Sequence, residues 1–256
     1  MYILLFPIKR RFKMSGKELD QTLVLIKPDA LKNSLTGYVL SLLSEFHTGL
    51  RFAGTKIVHV SKMLAEEHYA EHRGKHFFPP LIEYITGLSH YPDEPIKQRV
   101  VAIVYQGIDA VPKIRAIAGP TNPLVAREQK PGCIRSLGTL FPIKDKDGQI
   151  IDQRMDNLIH ASATDLEAER EIKLWFMPND IPPYMQGYAT KKSERHFYFK
   201  DGKLSEDHVP GSFCIVAPGD IVWESDLAIL HAIADGTPSK GTLESVVAKY
   251  LVNQIR

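Results

Sequence analysis

Two short apolar runs constrain the fold of this chain more than any other feature. Residues 22–26 end at Lys27-Pro28, and residues 99–105 are bounded by Gly107. Apolar, β-branched runs of this length between turn residues are typical of buried strands. Between the two runs, Val39, Leu43 and Phe46 recur at helical spacing. The sequence therefore predicts a core in which buried strands alternate with helices.

The remaining segments continue this alternation. Further strands are predicted at 51–60 and 155–160, and helices at 37–47, 63–72, 79–86, 109–118 and 164–176. Gly49 ends the first helix, and Asp109 opens the fourth with a carboxylate that suits a helix N-terminus. Residues 119–150 are predicted to be irregular, and a loop of that length is usually functional. This order predicts an α+β fold, a ferredoxin-like α/β sandwich with a four-stranded antiparallel sheet.

The two ends of the chain differ from its middle. Residues 1–20 are predicted to be a disordered lead segment; their apolar run is too short to span a bilayer, and Met14 begins a more conventional N-terminus. Prolines between 178 and 183 mark a joint, so we expect a main domain at 21–190 and a C-terminal extension at 191–256. In the extension, Asp201-Gly202 predicts a hairpin turn and residues 243–251 predict an amphipathic helix. The apolar face of that helix must bury against the main domain or a neighbouring subunit.

Composition excludes several classes of protein. The chain is 44% apolar and 24% charged, as globular proteins are, and its net charge of +2 shows no basic surplus for nucleic acid. Cys133 and Cys214 are too few for a disulfide scaffold or a multi-cysteine zinc site, and we expect buried thiols in a reducing cytoplasm. The sequence has no Walker A, Gly-x-Gly-x-x-Gly, His-Glu-x-x-His or Cys-x-x-Cys motif.

A histidine inside an apolar stretch is the strongest indication of chemistry. His160 has Asn157 three residues before it and Ser162 two residues after it. Residue types that bind phosphate lie upstream, at Lys27, Arg115, Thr121 and Arg135. A histidine that accepts a phosphoryl group must be neutral, oriented at one ring nitrogen and faced by cations. Each of these residues alone is more often an ordinary surface or core residue, so only the whole set indicates phosphoryl transfer.

Two further features fit the same hypothesis. Glu171 lies in the next predicted helix, where it can accept a hydrogen bond from the second ring nitrogen of His160, although taken alone it is more typical of a solvated helix face. Phe77 and Phe78 precede two prolines. One of these rings can stack on a nucleobase, and we expect the other to pack in the core.

Eight segments of the chain resemble the nucleoside diphosphate kinase family in their order and spacing. They lie at 26–29, 67–69, 77–79, 100–104, 119–123, 130–135, 157–162 and 171–176, and the resemblance covers roughly residues 21–190. It implies a ping-pong transfer of the γ-phosphate of ATP to a nucleoside diphosphate through a phosphohistidine at His160. It also implies the ferredoxin-like sandwich, Mg²⁺ carried by the nucleotide phosphates without dedicated protein ligands, and dimers grouped into tetramers or hexamers. No membrane and no specific nucleic acid is expected as a partner.

The resemblance implies three groups of site residues. Phosphate contacts are expected from Lys27, Tyr69, Arg115, Thr121 and Arg135, with Lys27 at the terminal phosphate and so part of the catalytic group. Asn157 is expected to contact the sugar and phosphate region, and Phe77 is expected to stack on the base. Glu171 and Ser162 are expected to orient His160.

The chain departs from the family pattern in two residues and two segments. Ala161 replaces a glycine, which would matter if that position needs a positive φ, and Ala163 replaces an aspartate. Residues 88–98 and 136–154 are expected to be insertions, the second in a loop that lines the nucleotide site and contacts other subunits in the family. The alternative function is therefore a catalytically impaired nucleotide-binding or assembly protein on the same fold. Retention of every phosphate-contacting residue type favours the enzyme.

Overall fold

The computed structural model describes residues 13–14 and 17–253, with side chains from residue 19 onward. The strands, in chain order, are β1 Lys13–Met14, β2 Lys17–Glu18, β3 Asp20–Ile26, β4 Arg51–Val58, β5 Val100–Gly107, β6 Thr139–Lys144, β7 Ile150–Asp156, β8 Ile159–Ala161, β9 Thr190–Lys192, β10 Phe197–Lys200, β11 Lys203–Ser205, β12 Phe213–Val216 and β13 Ile221–Trp223. The α-helices are α1 Pro28–Lys32, α2 Thr36–Leu42, α3 Glu45–Thr48, α4 Lys62–His68, α5 Phe78–Thr86, α6 Ala110–Ala118, α7 Pro123–Gln129, α8 Asp165–Trp175, α9 Glu224–Ala234 and α10 Leu243–Val247. Short 3₁₀ helices lie at Ala70–His72, Pro95–Lys97, Ile134–Leu137, Pro178–Asp180, Pro183–Met185 and Ala248–Tyr250.

The central sheet has four strands in the order β4-β5-β3-β8, and every neighbouring pair is antiparallel. The predicted α+β, ferredoxin-like fold is thus confirmed. The register of β3 against β8 places His160 opposite Leu25. The histidine therefore lies on a short outer strand beside the most buried strand of the sheet, next to the strand end that leads into Lys27.

Alternate residues of β3 point to opposite faces of the sheet, as the period of a strand requires. Leu23 and Leu25 belong to a cluster with residues of α4, α5 and α8, and Val24 and Ile26 to a cluster with residues of α1, α2 and α6. All four β3 side chains are fully buried. Each contributes roughly 1.5–3 kcal/mol through the hydrophobic effect, so both faces of the sheet are firmly covered and the site built on its edges has a rigid base.

The helix predicted at 37–47 is divided in two. The Ser44 side chain accepts a hydrogen bond from the backbone N–H of His47 and starts α3, which ends at Gly49 with a φ of 65°. A serine that caps a new helix competes with continuation of the old one. Phe46, predicted to lie on the apolar face, is 96% exposed. The predicted opening of α6 by Asp109 is also inexact, because Asp109 has a φ of 57° and makes no side-chain cap.

The stretch predicted to be irregular at 119–150 is largely ordered, so that prediction is wrong. It contains α7, capped by the Asn122 side chain, and the 3₁₀ helix Ile134–Leu137. It then enters an antiparallel hairpin formed by β6 and β7. The strand predicted at 155–160 is accordingly two strands, β7 and β8. Leu158 separates them with a φ of 68°.

The extension contains the predicted hairpin, with Asp201 and Gly202 at positive φ between β10 and β11. The predicted terminal helix is α10, continued by Ala248–Tyr250. Its buried residues Val246 and Val247 pack with α9 and β10, so its apolar face is covered within this chain. Trp223 joins the main core cluster, and its Nε1 donates to the carbonyl of Phe176 at 2.7 Å. Sequence patterns missed α9 altogether.

Three other expectations concern the ends and the thiols. Of the predicted lead segment, residues 1–12 and 15–16 lie outside the described residues. Cys133 is buried as expected, but Cys214 is exposed, so the prediction of two buried thiols is wrong. Within the described part of the chain, no helix has the length and apolar character needed to cross a lipid bilayer.

Candidate active site

One cavity of about 470 Å³ brings together nine of the ten residues that the sequence singled out. They are Lys27, Tyr69, Phe77, Arg115, Thr121, Arg135, Asn157, His160 and Glu171. The tenth, Ser162, is fully buried behind the cavity wall. These residues come from six separate parts of the chain, and the antiparallel sheet brings them together at one end of β3 and β8.

His160 is oriented by a single hydrogen bond. Its Nε2 lies 2.9 Å from Oε2 of Glu171, and its side chain is 16% exposed. Because a carboxylate can only accept, Nε2 carries the proton and the neutral ring has its lone pair on Nδ1. Within residues 19–253, no hydrogen-bonding group occupies Nδ1. The accessible nitrogen is thus the one able to act as a nucleophile.

Glu171 is a buried carboxylate with two donors on one oxygen. Ser162 Oγ donates to Oε2 at 2.6 Å, beside the bond from His160. Burial raises the pKa of Glu171, but the attraction of His160 when it is protonated, the hydrogen bond from His160 and the hydroxyl of Ser162 outweigh burial and hold the pKa at about 2. Glu171 therefore stays an anion at all working pH values. It fixes the ring orientation and stabilises positive charge on the imidazole.

His68 is a site residue that sequence patterns missed. Its ring meets that of His160 edge to face, with centroids 4.5 Å apart. Trp175 Nε1 donates to Nδ1 of His68 at 3.2 Å, and burial holds the pKa of His68 well below its usual value. His68 is therefore a neutral ring that packs against the nucleophile. It stands within the resembling segment 67–69, but its residue type alone gave no signal.

Lys27 projects from the end of β3 into the cavity. Its Nζ donates to Oδ1 of Asn157 at 2.7 Å and lies 4.7 Å from the ring centre of Tyr84. Asn157 Nδ2 in turn donates to the carbonyl of Thr121 at 2.9 Å. Burial lowers the pKa of Lys27 to about 8, an effect that the charge of Arg135 increases. The chain of contacts joins three predicted phosphate-site residues in one row.

Arg135 is a buried guanidinium whose bonds go to backbone oxygens. Its Nη1 donates to the carbonyl of Gly119 at 3.0 Å and its Nη2 to that of Ile159 at 3.3 Å, while its Nε has no partner. Burial and the nearby charge of Arg115 lower the pKa of Arg135 to about 10. Among the described residues, no carboxylate lies within ion-pair distance of Lys27, Arg115 or Arg135. Three cations without carboxylate partners around one cavity form a site for a polyanion.

The two aromatic residues expected to bind nucleotide also border the cavity. Tyr69 is 8% exposed, and burial raises the pKa of its hydroxyl, which therefore remains a hydrogen-bond donor. Phe77 is half-buried and contacts the rings of His72 and His76 edge-on. Phe78 packs against the main core, as predicted for one member of the pair.

A strained turn carries the chain from Asn157 into the strand of His160. Leu158 holds its left-handed φ because its N–H donates to Oδ2 of Asp29 and its carbonyl accepts from the N–H of Lys27, both at 2.9 Å. Burial raises the pKa of Asp29. Neither Asp29 nor Leu158 was predicted as a site residue. Adjacency of Asp29 to Lys27 is the signal that could have found the first.

Ala161 does not need the conformational freedom of glycine. It lies in β8, pairs with Val24 in the sheet and is absent from the positive-φ positions of the described chain. The residue is buried, at 4% exposure. The substitution of alanine for the family's glycine thus leaves the backbone beside His160 in an ordinary extended conformation.

Comparisons with known proteins agree with this geometry. The sequence model of the nucleoside diphosphate kinase family matches residues 20–181. A nucleoside diphosphate kinase of Thermococcus kodakarensis is 33% identical over 202 residues, which cover 79% of this chain and 99% of that protein. The nucleoside diphosphate kinase of Pyrococcus furiosus is 37% identical over 182 residues, which cover 70% of this chain and 98% of that protein. The crystal structure of the Aquifex aeolicus nucleoside diphosphate kinase has a TM-score of 0.51 and 29% identity, and the match covers 64% of this chain and 99% of that one. The chain therefore belongs to the nucleoside diphosphate kinase family and is an ATP-dependent phosphotransferase that acts on nucleoside phosphates.

Proposed function

We propose that Nδ1 of His160 attacks the γ-phosphorus of ATP and forms a phosphohistidine, which then passes the group to a nucleoside diphosphate. In the first half-reaction the bond from the γ-phosphorus to the bridging oxygen breaks as the N–P bond forms, and ADP leaves. Nε2 keeps its proton throughout and donates it as a hydrogen bond to the anionic carboxylate of Glu171. The second half-reaction reverses these steps with a different diphosphate.

We assign the phosphate chain to the three unpaired cations. Lys27 and Tyr69 hold the transferred group; Lys27 projects into the cavity and already donates to Asn157 there. Arg115, Arg135 and Thr121 hold the phosphates that stay with the leaving nucleotide. Positioning and neutralisation of charge are the main demands of phosphoryl transfer, and fixed cations in a partly dry cavity meet both. Asn157 contacts the sugar, and Phe77 stacks on the base.

Mg²⁺ is proposed to enter with the nucleotide. In the described part of the chain, the group of three metal-capable side chains is His68, His160 and Glu171, with its ligand atoms within 4.8 Å of one another. Two ring nitrogens and a carboxylate already bound by two donors do not suit a cation that prefers oxygen ligands. The residues present therefore do not form a magnesium site of their own, and the phosphates must supply the ligands.

We further propose a cytoplasmic homo-oligomer built from dimers, as a tetramer or hexamer. Two apolar side chains on and next to the outer strand β4 support the assembly, because Phe46 is 96% and Ile57 is 58% exposed. A contact between subunits that covered these side chains would remove apolar surface from water, which is favourable. Size-exclusion chromatography with light scattering measures the assembly directly.

The observation that supports this function most is the hydrogen bond that leaves Nδ1 of His160 as the free ring nitrogen. Incubation with γ-labelled ATP and Mg²⁺, without acceptor, tests it. We expect an acid-labile, base-stable label that added GDP removes, that His160→Ala abolishes, and that the exposed control His196→Gln retains. A folded, nucleotide-binding protein without label would contradict the proposal and leave the impaired, assembly-type alternative.

A further inference from the structure

The hairpin of β6 and β7 forms part of the wall of the active-site cavity. Its residues Ile143, Asp152, Gln153, Arg154 and Met155 line the same cavity as Phe77 and His160. The hairpin occupies most of the segment at 136–154 that departs from the family pattern. The resemblance implies only that a loop at this position lines the nucleotide site; the hairpin itself and the residues with which it borders the cavity are features of this chain.

The base of the hairpin is tied to the phosphate end of the cavity. Asp156, the last residue of β7, is 4% exposed and accepts hydrogen bonds from Arg154 Nε at 2.7 Å and His90 Nε2 at 2.6 Å. The next residue is Asn157, which accepts from Lys27. His90 comes from the other departing segment, at 88–98, so the two segments meet at Asp156. This end of the hairpin is fixed by buried, charge-assisted bonds.

Nearer its tip, the hairpin is joined to the loop that carries Phe77. Asp152 Oδ2 lies 2.8 Å from Nε2 of His76, whose side chain is 74% exposed. The ring of His76 in turn lies edge-on to Phe77, with centroids 5.5 Å apart. An exposed pair of this kind is weak, so it forms and breaks readily. The contact between Asp152 of β7 and His76, which solvent can reach, thus links the hairpin to the loop of Phe77.

We propose that this hairpin is the nucleoside wall of the site, a specificity element that contacts base and ribose while Asp152 and His76 hold it against the loop of Phe77. The inference rests on the proposed function, since it needs a nucleotide in the cavity with its base at Phe77. Side-chain chemistry supports it: Ile143 and Met155 offer apolar surface to a flat ring, and the amide of Gln153 offers a donor and an acceptor. Lys27, Arg115 and Arg135, which face the phosphates, lie outside the hairpin.

The test compares two probes that share phosphates but differ in the nucleoside. Competition of ADP and of inorganic tripolyphosphate against ATP is measured for wild type and for Asp152→Asn. We expect the variant to bind ADP about three- to fivefold more weakly, the effect of losing one exposed ion pair, and to bind tripolyphosphate as wild type does. Ile143→Ala, which removes apolar contact, is expected to weaken the binding of ADP about three- to tenfold and to leave the binding of tripolyphosphate unchanged.

A matched control lies in the same hairpin. Asp147 is exposed in its turn, and its carboxylate has no hydrogen bond or ion pair among the described residues, so Asp147→Asn removes an equal charge without touching the wall. It is expected to change neither affinity. His76→Gln should weaken the binding of ADP as much as Asp152→Asn does. The double variant should bind ADP no more weakly than either single variant, because both substitutions remove the same contact.

Two outcomes would overturn the inference. An unchanged ADP affinity in both Asp152→Asn and Ile143→Ala would show that the hairpin does not touch the nucleoside. An equal loss for ADP and tripolyphosphate would show that it acts only through the phosphate site. Both are separate from failure of the proposed function, because the wild-type enzyme still forms the label at His160 in either case.

Discussion

Replacement of Glu171 by glutamine tests how the nucleophile is prepared. The substitution keeps the size of the side chain but removes the anion that holds His160 Nε2 at 2.9 Å and Ser162 Oγ at 2.6 Å. A hydrogen bond to a charged group contributes about 1.5–3 kcal/mol, and loss of that amount from the transition state slows a reaction roughly 10- to 100-fold. An amide nitrogen turned toward Nε2 would also favour the wrong tautomer, with the proton on Nδ1. We therefore expect phosphohistidine to form roughly 10 to 100 times more slowly.

The assay is rapid quenching of a single turnover with excess γ-labelled ATP. Glu169→Gln is the control, since Glu169 lies on the same helix, is 43% exposed and pairs with Lys173. A wild-type rate in Glu171→Gln, or a loss no larger than in the control, would refute this account of the histidine.

The stability of the protein at low pH tests the charge of Glu171 independently. Because the folded pKa of Glu171 is about 2 against an ordinary 4.5, its contribution to stability is complete above pH 4.5 and is lost as the pH falls toward 2.

Three further predictions concern other parts of the molecule. Because burial lowers the pKa of Lys27 to about 8, the free enzyme loses this cation as pH rises through that value; kcat/KM should fall there, and Lys27→Gln should lack this limb. Trp223→Ala empties a fully buried site in the main core and should lower the free energy of unfolding by about 3–5 kcal/mol; a loss below about 1 kcal/mol in urea titrations would mean that the extension is only loosely attached. Ala161→Gly should leave turnover within about twofold, since Ala161 is extended, and lower stability by about 0.5–1 kcal/mol; a large gain in rate would mean that the alanine impairs catalysis.

The elements that sequence patterns predicted well are those whose burial is decided locally. The apolar runs within β3 and β5 are buried and lie in the centre of the sheet, so their pattern matches their surroundings. The turn at Asp201-Gly202 was predictable for a similar reason, because few residue types accept two successive positive φ values. The division of the main domain from the extension at residue 190 stays a prediction.

The predictions that were wrong concern residues whose structure or burial depends on a distant contact or on a local hydrogen bond. The hairpin of β6 and β7 alternates exposed and half-buried residues, and part of its inner face lines a cavity, so its strands lack an apolar stripe. Phe46 has helical spacing with Val39 and Leu43, yet the cap at Ser44 turns it to solvent. Neither effect appears in periodicity alone.

In the candidate site, too, the sequence identified some residues and missed others. The residues singled out around His160 converge on one cavity, because the resemblance rests on segments in a fixed order. His68, Tyr84 and Asp29 were missed, since they act on His160, Lys27 and Leu158 through contacts that only the fold creates. A buried carboxylate or ring beside a charged group has no signature in a single sequence.

The ring nitrogen that carries the phosphoryl group decides the central claim most directly. Enzyme labelled with γ-labelled ATP is hydrolysed in alkali, and the two phosphohistidine isomers are separated against standards. With Nε2 of His160 held by Glu171, the label is expected on Nδ1 of His160. Label on Nε2, or label that persists when His160 is replaced by alanine, would contradict the orientation on which the account of this site is built.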